Sequence, residues 1–115
     1  MSERGDIEFI SDMKEAIKRI NAYISNMEFR QFMKDTKTQD AVVRNLEIIG
    51  EATKNISDDL KNRYPKVPWK DFARVRDKLI HFYFGVNLDV VWDIVKNELP
   101  PAFKSIKSIL QAEAD

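Results

Sequence analysis

The segment FISDMKEAIKRINAYISNM, residues 9–27, is the strongest indication of fold class in this chain. Its apolar side chains recur at steps of three and four residues, which is the period of one face of an α-helix. The stripe consists of Ile10, Met13, Ile17, Ile20, Ile24 and Met27. This spacing predicts a long first helix that buries the stripe in a core.

The helical pattern continues along the rest of the chain, with few residues that would interrupt it. The segment TKTQ at residues 36–39 predicts a capping box in which the Thr36 hydroxyl is the N-cap. Gly50 lies in the middle of the helix that follows, where glycine costs about 1 kcal/mol relative to alanine. We therefore expect another backbone, a partner chain or a ligand to come close at Gly50. Pro100-Pro101 is expected to kink or break the last helical segment.

Shorter elements lie between these helices. Ser57 is placed to start a short helical turn, and Trp69 opens a helix after a connector marked by Pro65 and Pro68. Asn87 is placed to cap another helix, and no pair of segments has the pattern of a β-hairpin. The prediction is an all-α, antiparallel helical bundle of about five helices, forming a single domain over residues 1–115.

Composition narrows the class of protein. The apolar share is 43% and the charged share is 33%, which is typical of a globular protein. No run of apolar residues is long enough for a membrane span and no secretory leader is evident, so a cytoplasmic location is expected. The chain has no cysteine, which excludes disulfides, a thiolate zinc site and a cysteine nucleophile.

Charge is unevenly distributed along the chain, although the formal net charge is zero. Within residues 61–81 seven basic side chains stand against two acidic ones, Asp71 and Asp77. The basic residues are Lys61, Arg63, Lys66, Lys70, Arg74, Arg76 and Lys78. This segment is either a solvated helix face or a phosphate-binding surface around the histidine. On the second interpretation, Lys70, Arg74 and Lys78 contact RNA.

The only histidine lies in Arg76-Asp77-Lys78-Leu79-Ile80-His81-Phe82-Tyr83. Arginine can bind a phosphate with its planar guanidinium, and histidine can transfer protons near neutral pH. Asp77 is four residues before His81 and could orient the imidazole and raise its pKa. These groups suit phosphodiester chemistry without a metal.

Helical geometry separates two members of this set. Residues five apart lie roughly 140° around a helix, so Arg76 and His81 do not share a face. A complete site could then need a second copy of the segment, supplied by a two-fold homodimer. We keep this as a hypothesis.

Each residue also has a purely structural interpretation. His81 could be a core or interface histidine, Arg76 and Asp77 could form surface ion pairs, and Tyr83 could pack at a helix end. Glu47 and Glu51, four apart on one helix, could bind Mg²⁺ but are expected to be solvated or salt-bridged. No cofactor motif is present, and a single histidine without cysteine argues against a transition-metal site.

The motif Arg76-x4-His81-x-Tyr83 resembles the signature of the HEPN superfamily, and in particular that of HepT, the toxin of HepT–MntA toxin–antitoxin pairs. The resemblance extends to VRNLEIIGEA at residues 43–52, to VPW at 67–69, and to LIHFYFGV at 79–86 with the following Val91-Trp92. It covers about residues 40 to 100. The extended set is far more specific than the bare motif.

The resemblance implies a dimeric helical bundle that acts as a metal-independent endoribonuclease, with no cofactor. Arg76 and His81 would be the catalytic residues, and Asp77 would support them. The RNA 2′-hydroxyl would attack the adjacent phosphate, with His81 as general base or acid and Arg76 stabilising the developing charge. Three residues of the second fingerprint, Arg44, Asn45 and Glu51, would line or brace the site.

The resemblance also implies a means of control. An MntA-like nucleotidyltransferase antitoxin would silence the toxin by transferring AMP to Tyr83, adding bulk and negative charge beside the phosphate site. Two other interpretations remain open. The chain could be a catalytically weak HEPN module that binds RNA or nucleotide, or serves mainly as partner of a nucleotidyltransferase. It could also be a purely structural dimerising bundle.

Overall fold

Helices make up all the regular secondary structure that the computed structural model describes, over residues 4–75, 78 and 87–113. The long helices are α1 (Asp6–Tyr23), α3 (Thr36–Lys54) and α7 (Leu99–Glu113). The short ones are α2 (Phe29–Met33), α4 (Asp58–Arg63), α5 (Trp69–Ala73) and α6 (Leu88–Asp93). One π-helical turn, Ile94–Glu98, joins α6 to α7. The predicted all-α class is confirmed, and none of the described helices is long and apolar enough to span a bilayer.

The apolar stripe of α1 is buried as predicted. Ile10, Met13, Ile17 and Ile20 are each 0% exposed. The helix itself is shorter than the stripe, because the chain leaves it after Tyr23. Asparagine tolerates the left-handed conformation that Asn26 adopts in the following turn, where its φ is 60°.

Helices α1 and α3 pack against each other and run antiparallel. Ser57, just after α3, donates from its amide and its hydroxyl to the Asp6 carboxylate at the start of α1, over 2.8 and 2.6 Å. The Thr53 hydroxyl lies 3.7 Å from the sulfur of Met13 one to two turns further along. Helix α7 also packs on α1, and α5 packs on α3. The core therefore lies between the long helices, and α5 is attached to its α3 side.

The predicted capping box at the start of α3 is wrong by one residue. The N-cap is Asp35, whose carboxylate accepts hydrogen bonds from the Thr38 amide at 3.0 Å and from the Thr38 hydroxyl at 2.7 Å. Both bonds lower the pKa of Asp35, the side-chain bond more than the backbone bond. The Gln39 side chain donates instead to the carbonyl of Phe32 in α2. A charged N-cap replaces the hydroxyl because the carboxylate can bind two donors of Thr38 at once.

Of the kink or break expected at Pro100-Pro101, the break is wrong, and a kink stays a prediction. The helical backbone continues through both prolines into α7. They lie in the first turn of α7, where a missing amide is tolerated, and the wider π turn directly precedes them. The predicted start of the preceding element is confirmed, since the Asn87 side chain accepts from the Val90 amide at 3.2 Å.

Candidate functional site

The predicted catalytic residues Arg76 and His81, with Asp77 and Tyr83, lie outside the described residues. The structure does describe what leads into and out of the segment that holds them. Val75 comes directly before Arg76, and Asn87 comes shortly after Tyr83. The site can therefore be assessed by its framework.

Helix α5 is fixed to the core immediately before the motif. The Trp69 indole donates to the carbonyl of Tyr64 at 2.9 Å, which ties the first residue of α5 to the end of α4. Phe72 and Val75 are 1% and 2% exposed. The apolar side chains of Trp69, Phe72 and Val75 are thus buried in the core up to the residue before Arg76.

Gly50 allows this arrangement. A β-carbon on Gly50 would lie 3.1 Å from the carbonyl oxygen of Phe72 and 3.0 Å from Cγ1 of Val75. The predicted close approach at Gly50 is confirmed, and the approaching backbone belongs to α5 of the same chain. Gly50 thereby couples α3 to the entrance of the motif.

The predicted RNA-binding residues lie on one exposed face. The Arg74 amide donates to the Lys70 carbonyl at 3.2 Å, and the Lys78 amide donates to the Arg74 carbonyl at 3.1 Å. These bonds space Lys70, Arg74 and Lys78 one helical turn apart, and all three side chains are exposed. Lys78 also lies 3.6 Å from the Asp71 carboxylate. The arrangement suits contact with a phosphate backbone, and the role of these residues stays a prediction.

Two of the residues predicted to line the site share a cleft on α3. Arg44 and Glu51 lie two turns apart, with Glu47 between them. The cleft has a volume of about 380 Å³ and is completed by Phe9 and Asp12 of α1. Its lining combines acidic and basic side chains with the aromatic ring of Phe9.

Asn45, the third predicted lining residue, points into the protein. It is 5% exposed, and its amide nitrogen donates to the Ala41 carbonyl at 2.9 Å. Its side-chain oxygen is buried and has no hydrogen-bond partner among the residues that the structure describes. Such an orphaned oxygen costs stability and is uncommon in a native core.

Aromatic packing fixes the part of the chain that follows the motif in sequence. The Trp92 ring of α6 lies 5.8 Å from the Phe29 ring and 5.1 Å from the Phe32 ring of α2. The Lys96 ammonium lies 5.3 Å from the centre of the Trp92 ring. In sequence, the segment that carries Arg76 and His81 is therefore preceded by α5 and followed by the helix that contributes Trp92 to this cluster.

Sequence reasoning missed a polar contact between the end of α4 and the end of α7. The Glu113 carboxylate accepts from the Tyr64 hydroxyl at 2.5 Å and from Arg63 at 2.6 Å. The Tyr64 bond, followed by that of Arg63, holds the pKa of Glu113 below its usual value, although partial burial opposes this. The same Glu113 contact raises the pKa of Tyr64 and of Arg63. No sequence signal joins residues so far apart along the chain.

The described part of the chain contains no group of three or more His, Cys, Asp or Glu side chains arranged to hold a metal ion. Glu47 is half-buried, whereas Glu51 is exposed and its carboxylate lies 3.5 Å from the Asn55 amide nitrogen.

Comparison with protein families gives one assignment. The model of the family described as "Ribonuclease HepT-like" matches residues 13–109, which include both fingerprints and the Arg76–Tyr83 motif. The chain is a member of the HepT-like family.

Individual relatives in the HepT-like family are also close in sequence. A Methanocaldococcus jannaschii protein named "Putative RNase MJ0127" is 52% identical over 103 residues, which cover 90% of this chain and 85% of that protein. A Thermococcus cleftensis protein named "Probable ribonuclease HepT" is 48% identical over 98 residues, covering 85% and 89%. No solved structure matches the chain at a significant level.

Proposed function

We propose that this HepT-like chain is a metal-independent endoribonuclease and the toxin of a toxin–antitoxin pair, acting on RNA in the cytoplasm. The family match carries the proposal, because it spans the single histidine together with Arg76 and the exposed basic face beside them. The names of the two relatives, both of which refer to a ribonuclease, support the same activity.

The proposed reaction uses only groups of the chain and of the RNA. The 2′-oxygen bonds to the adjacent phosphorus as His81 removes its proton, and the bond from phosphorus to the 5′-oxygen breaks. The departing 5′-oxygen takes up the proton that His81 removed, which leaves a 2′,3′-cyclic phosphate and a 5′-hydroxyl and returns the imidazole to its neutral form. Arg76 stabilises the negative charge on the phosphoryl oxygens, and Asp77 orients the imidazole.

The direct test is cleavage of defined RNAs in EDTA by protein made without any antitoxin, alongside the His81→Ala variant. The expected result is that the parent produces 2′,3′-cyclic phosphate ends and the variant does not, while both bind RNA. If both proteins cut equally, or neither cuts any RNA, the ribonuclease proposal fails. Binding without cleavage by either would instead support the RNA-binding module.

We further propose that the active site forms at a homodimer interface. The support is the five-residue spacing of Arg76 and His81 in the sequence, since residues five apart on a regular helix would lie on different faces. The test is to mix Arg76→Ala and His81→Ala proteins, each inactive alone, under conditions that allow subunit exchange. A shared site predicts that the mixture regains part of the parent activity, because each mixed dimer keeps one arginine and one histidine. A mixture that stays inactive while native mass spectrometry of differently isotope-labelled subunits shows mixed dimers would contradict the shared site.

We also propose that an MntA-like nucleotidyltransferase silences the toxin by transferring AMP to the Tyr83 hydroxyl. That hydroxyl attacks the α-phosphorus of ATP and pyrophosphate leaves, so Tyr83 gains a bulky anion next to the phosphate site. Incubation with the transferase and ATP is expected to add the mass of AMP and to abolish cleavage. The Tyr83→Phe variant should cut RNA and stay active under the same treatment; its silencing would rule out this residue as the target.

A further inference from the structure

The connector between α4 and α5, residues 64–68, is bordered by two clefts. The first cleft, of about 510 Å³, lies towards α4 and α5 and contains Lys61 and Lys70 together with Asp58 and Asp71. The second, of about 480 Å³, lies towards α7 and contains Lys66 and Lys104. Pro65 and Val67 line both clefts, so both border the same stretch of the connector. Volumes of this size are typical of sites that hold a small ligand or one unit of a polymer.

The lysines of these clefts are available to bind an anion. Among the described residues, none forms an ion pair with Lys61, Lys66, Lys70 or Lys104. Two nearby carboxylates, those of Asp71 and Glu113, already have cationic or hydrogen-bonding partners. Asp71 pairs with Lys78, and Glu113 binds Arg63 and Tyr64. Within the part of the chain that the structure describes, the positive charge is therefore least compensated at the second cleft, whose lining includes no carboxylate, whereas Asp58 partly balances it at the first.

The second cleft also offers groups that suit a nucleotide. Hydroxyl groups come from Ser105 and Ser108, and an apolar lining comes from Val67 and Ile109. The Tyr64 ring stands at the same cleft, and its hydroxyl bond to Glu113 fixes the position of the ring. Proteins bind single-stranded nucleic acid with this combination of a basic groove for the backbone and an aromatic side chain for a base.

We propose that a single strand of RNA crosses the connector, with its phosphates on Lys70 and Lys61 in the first cleft and on Lys66 and Lys104 in the second. This inference rests on the proposed ribonuclease function, since it assigns the path of that enzyme's substrate. Lys70 also belongs to the exposed basic face that it forms with Arg74 and Lys78, so the path and that face share a residue. The role of Lys104 is new, because it comes from α7 and lies outside the basic segment seen in the sequence.

The test compares two double variants that remove the same charge. Lys66→Gln/Lys104→Gln alters the second cleft, and Lys18→Gln/Lys34→Gln removes two exposed lysines that line neither cleft. Binding to a fluorescent, 2′-O-methylated single-stranded RNA is measured by anisotropy as a function of salt. Methylation blocks attack by the 2′-oxygen, so binding is observed without cleavage.

If each cleft lysine contacts one phosphate, the salt slope of log K falls by about 1.4, which corresponds to about 25-fold weaker binding at 0.1 M salt relative to a 1 M reference. The control variant is expected to bind like the parent. Equal losses in the two variants, or no loss in either, would overturn the proposed path. The binding result does not depend on cleavage. If the cleft variant alone binds more weakly but the parent cuts no RNA, the RNA path stands and the ribonuclease proposal fails. If the parent cuts RNA but the two variants bind alike, the ribonuclease proposal stands and the RNA path fails.

Discussion

Gly50 and Val75 pack so closely that a β-carbon on the glycine would lie 3.0 Å from Cγ1 of the valine. The same β-carbon would lie 3.1 Å from the Phe72 carbonyl oxygen, which belongs to the backbone and cannot rotate away. Since Val75 directly precedes Arg76, this contact fixes the chain against α3 immediately before the motif.

The Gly50→Ala variant is expected to be less stable and to cut RNA more slowly. Overpacking costs about 1–3 kcal/mol, and alanine returns about 1 kcal/mol of helix propensity, so we expect a net loss of about 1 kcal/mol in the free energy of unfolding. The rate should fall further than this loss explains, because α5 must shift. Urea denaturation and single-turnover cleavage measure the two effects.

Val75→Ala provides the matched comparison. If Gly50→Ala acts by crowding Val75, the double variant should be more stable than the sum of the two single changes predicts, by an interaction energy of about 0.5 kcal/mol or more. Strict additivity would show that the crowding is not at Val75.

Asp35 and Thr36 test which residue caps α3. The carboxylate of Asp35 accepts two hydrogen bonds from Thr38, so Asp35→Ala should lower the melting temperature. Thr36→Ala is the control and should leave the melting temperature nearly unchanged, because Thr36 is exposed and already inside the helix. The opposite ranking would restore the capping box predicted from the sequence.

Replacing Asn45 with an apolar residue is expected to maintain or raise stability and to lower RNA cleavage. Replacing it with leucine, which has the same branching and the same number of side-chain heavy atoms, removes the buried oxygen that has no partner among the described residues, so the free energy of unfolding should stay the same or rise by about 1 kcal/mol. RNA cleavage should fall if Asn45 braces the site, as its fingerprint implies. Parent-like cleavage by the leucine variant would remove Asn45 from the site.

Thr53→Val is the counterpart for a satisfied polar group. The Thr53 hydroxyl is fully buried and donates to the Ile49 carbonyl at 2.7 Å. Its removal should cost about 1 kcal/mol without any effect on cleavage.

Glu113 is expected to make stability depend on pH at both extremes. Its lowered pKa means that its contact stabilises the protein above the unfolded carboxyl value of 4.5, and this is lost as pH falls through the lower folded value. The raised pKa of Tyr64 means that the same contact is complete below pH 10.0 and is lost as pH rises through the higher folded value. The melting temperatures of the parent and of Glu113→Gln should therefore differ most between these limits and converge outside them. A constant difference across the whole range would contradict this account.

Much of the architecture follows from local patterns along the chain. The spacing of Ile10, Met13, Ile17 and Ile20 predicted α1, and Ser57, Trp69 and Asn87 marked the starts of later elements. These features are predictable because helix period and capping depend on residues within a few positions of one another. The family could be recognised for a similar reason, since its fingerprints are short and contiguous.

Features that depend on distant residues could be seen only in the folded chain. Gly50 signalled a close approach, but only packing showed that α5 is the neighbour. The inward turn of Asn45, the Glu113 contact with Tyr64 and the place of Lys104 beside the connector had no local signal. The contacts of Gly50, Glu113 and Lys104 each join segments that are far apart in sequence and close in space, and their proximity arises from burying one apolar core between α1, α3 and α7.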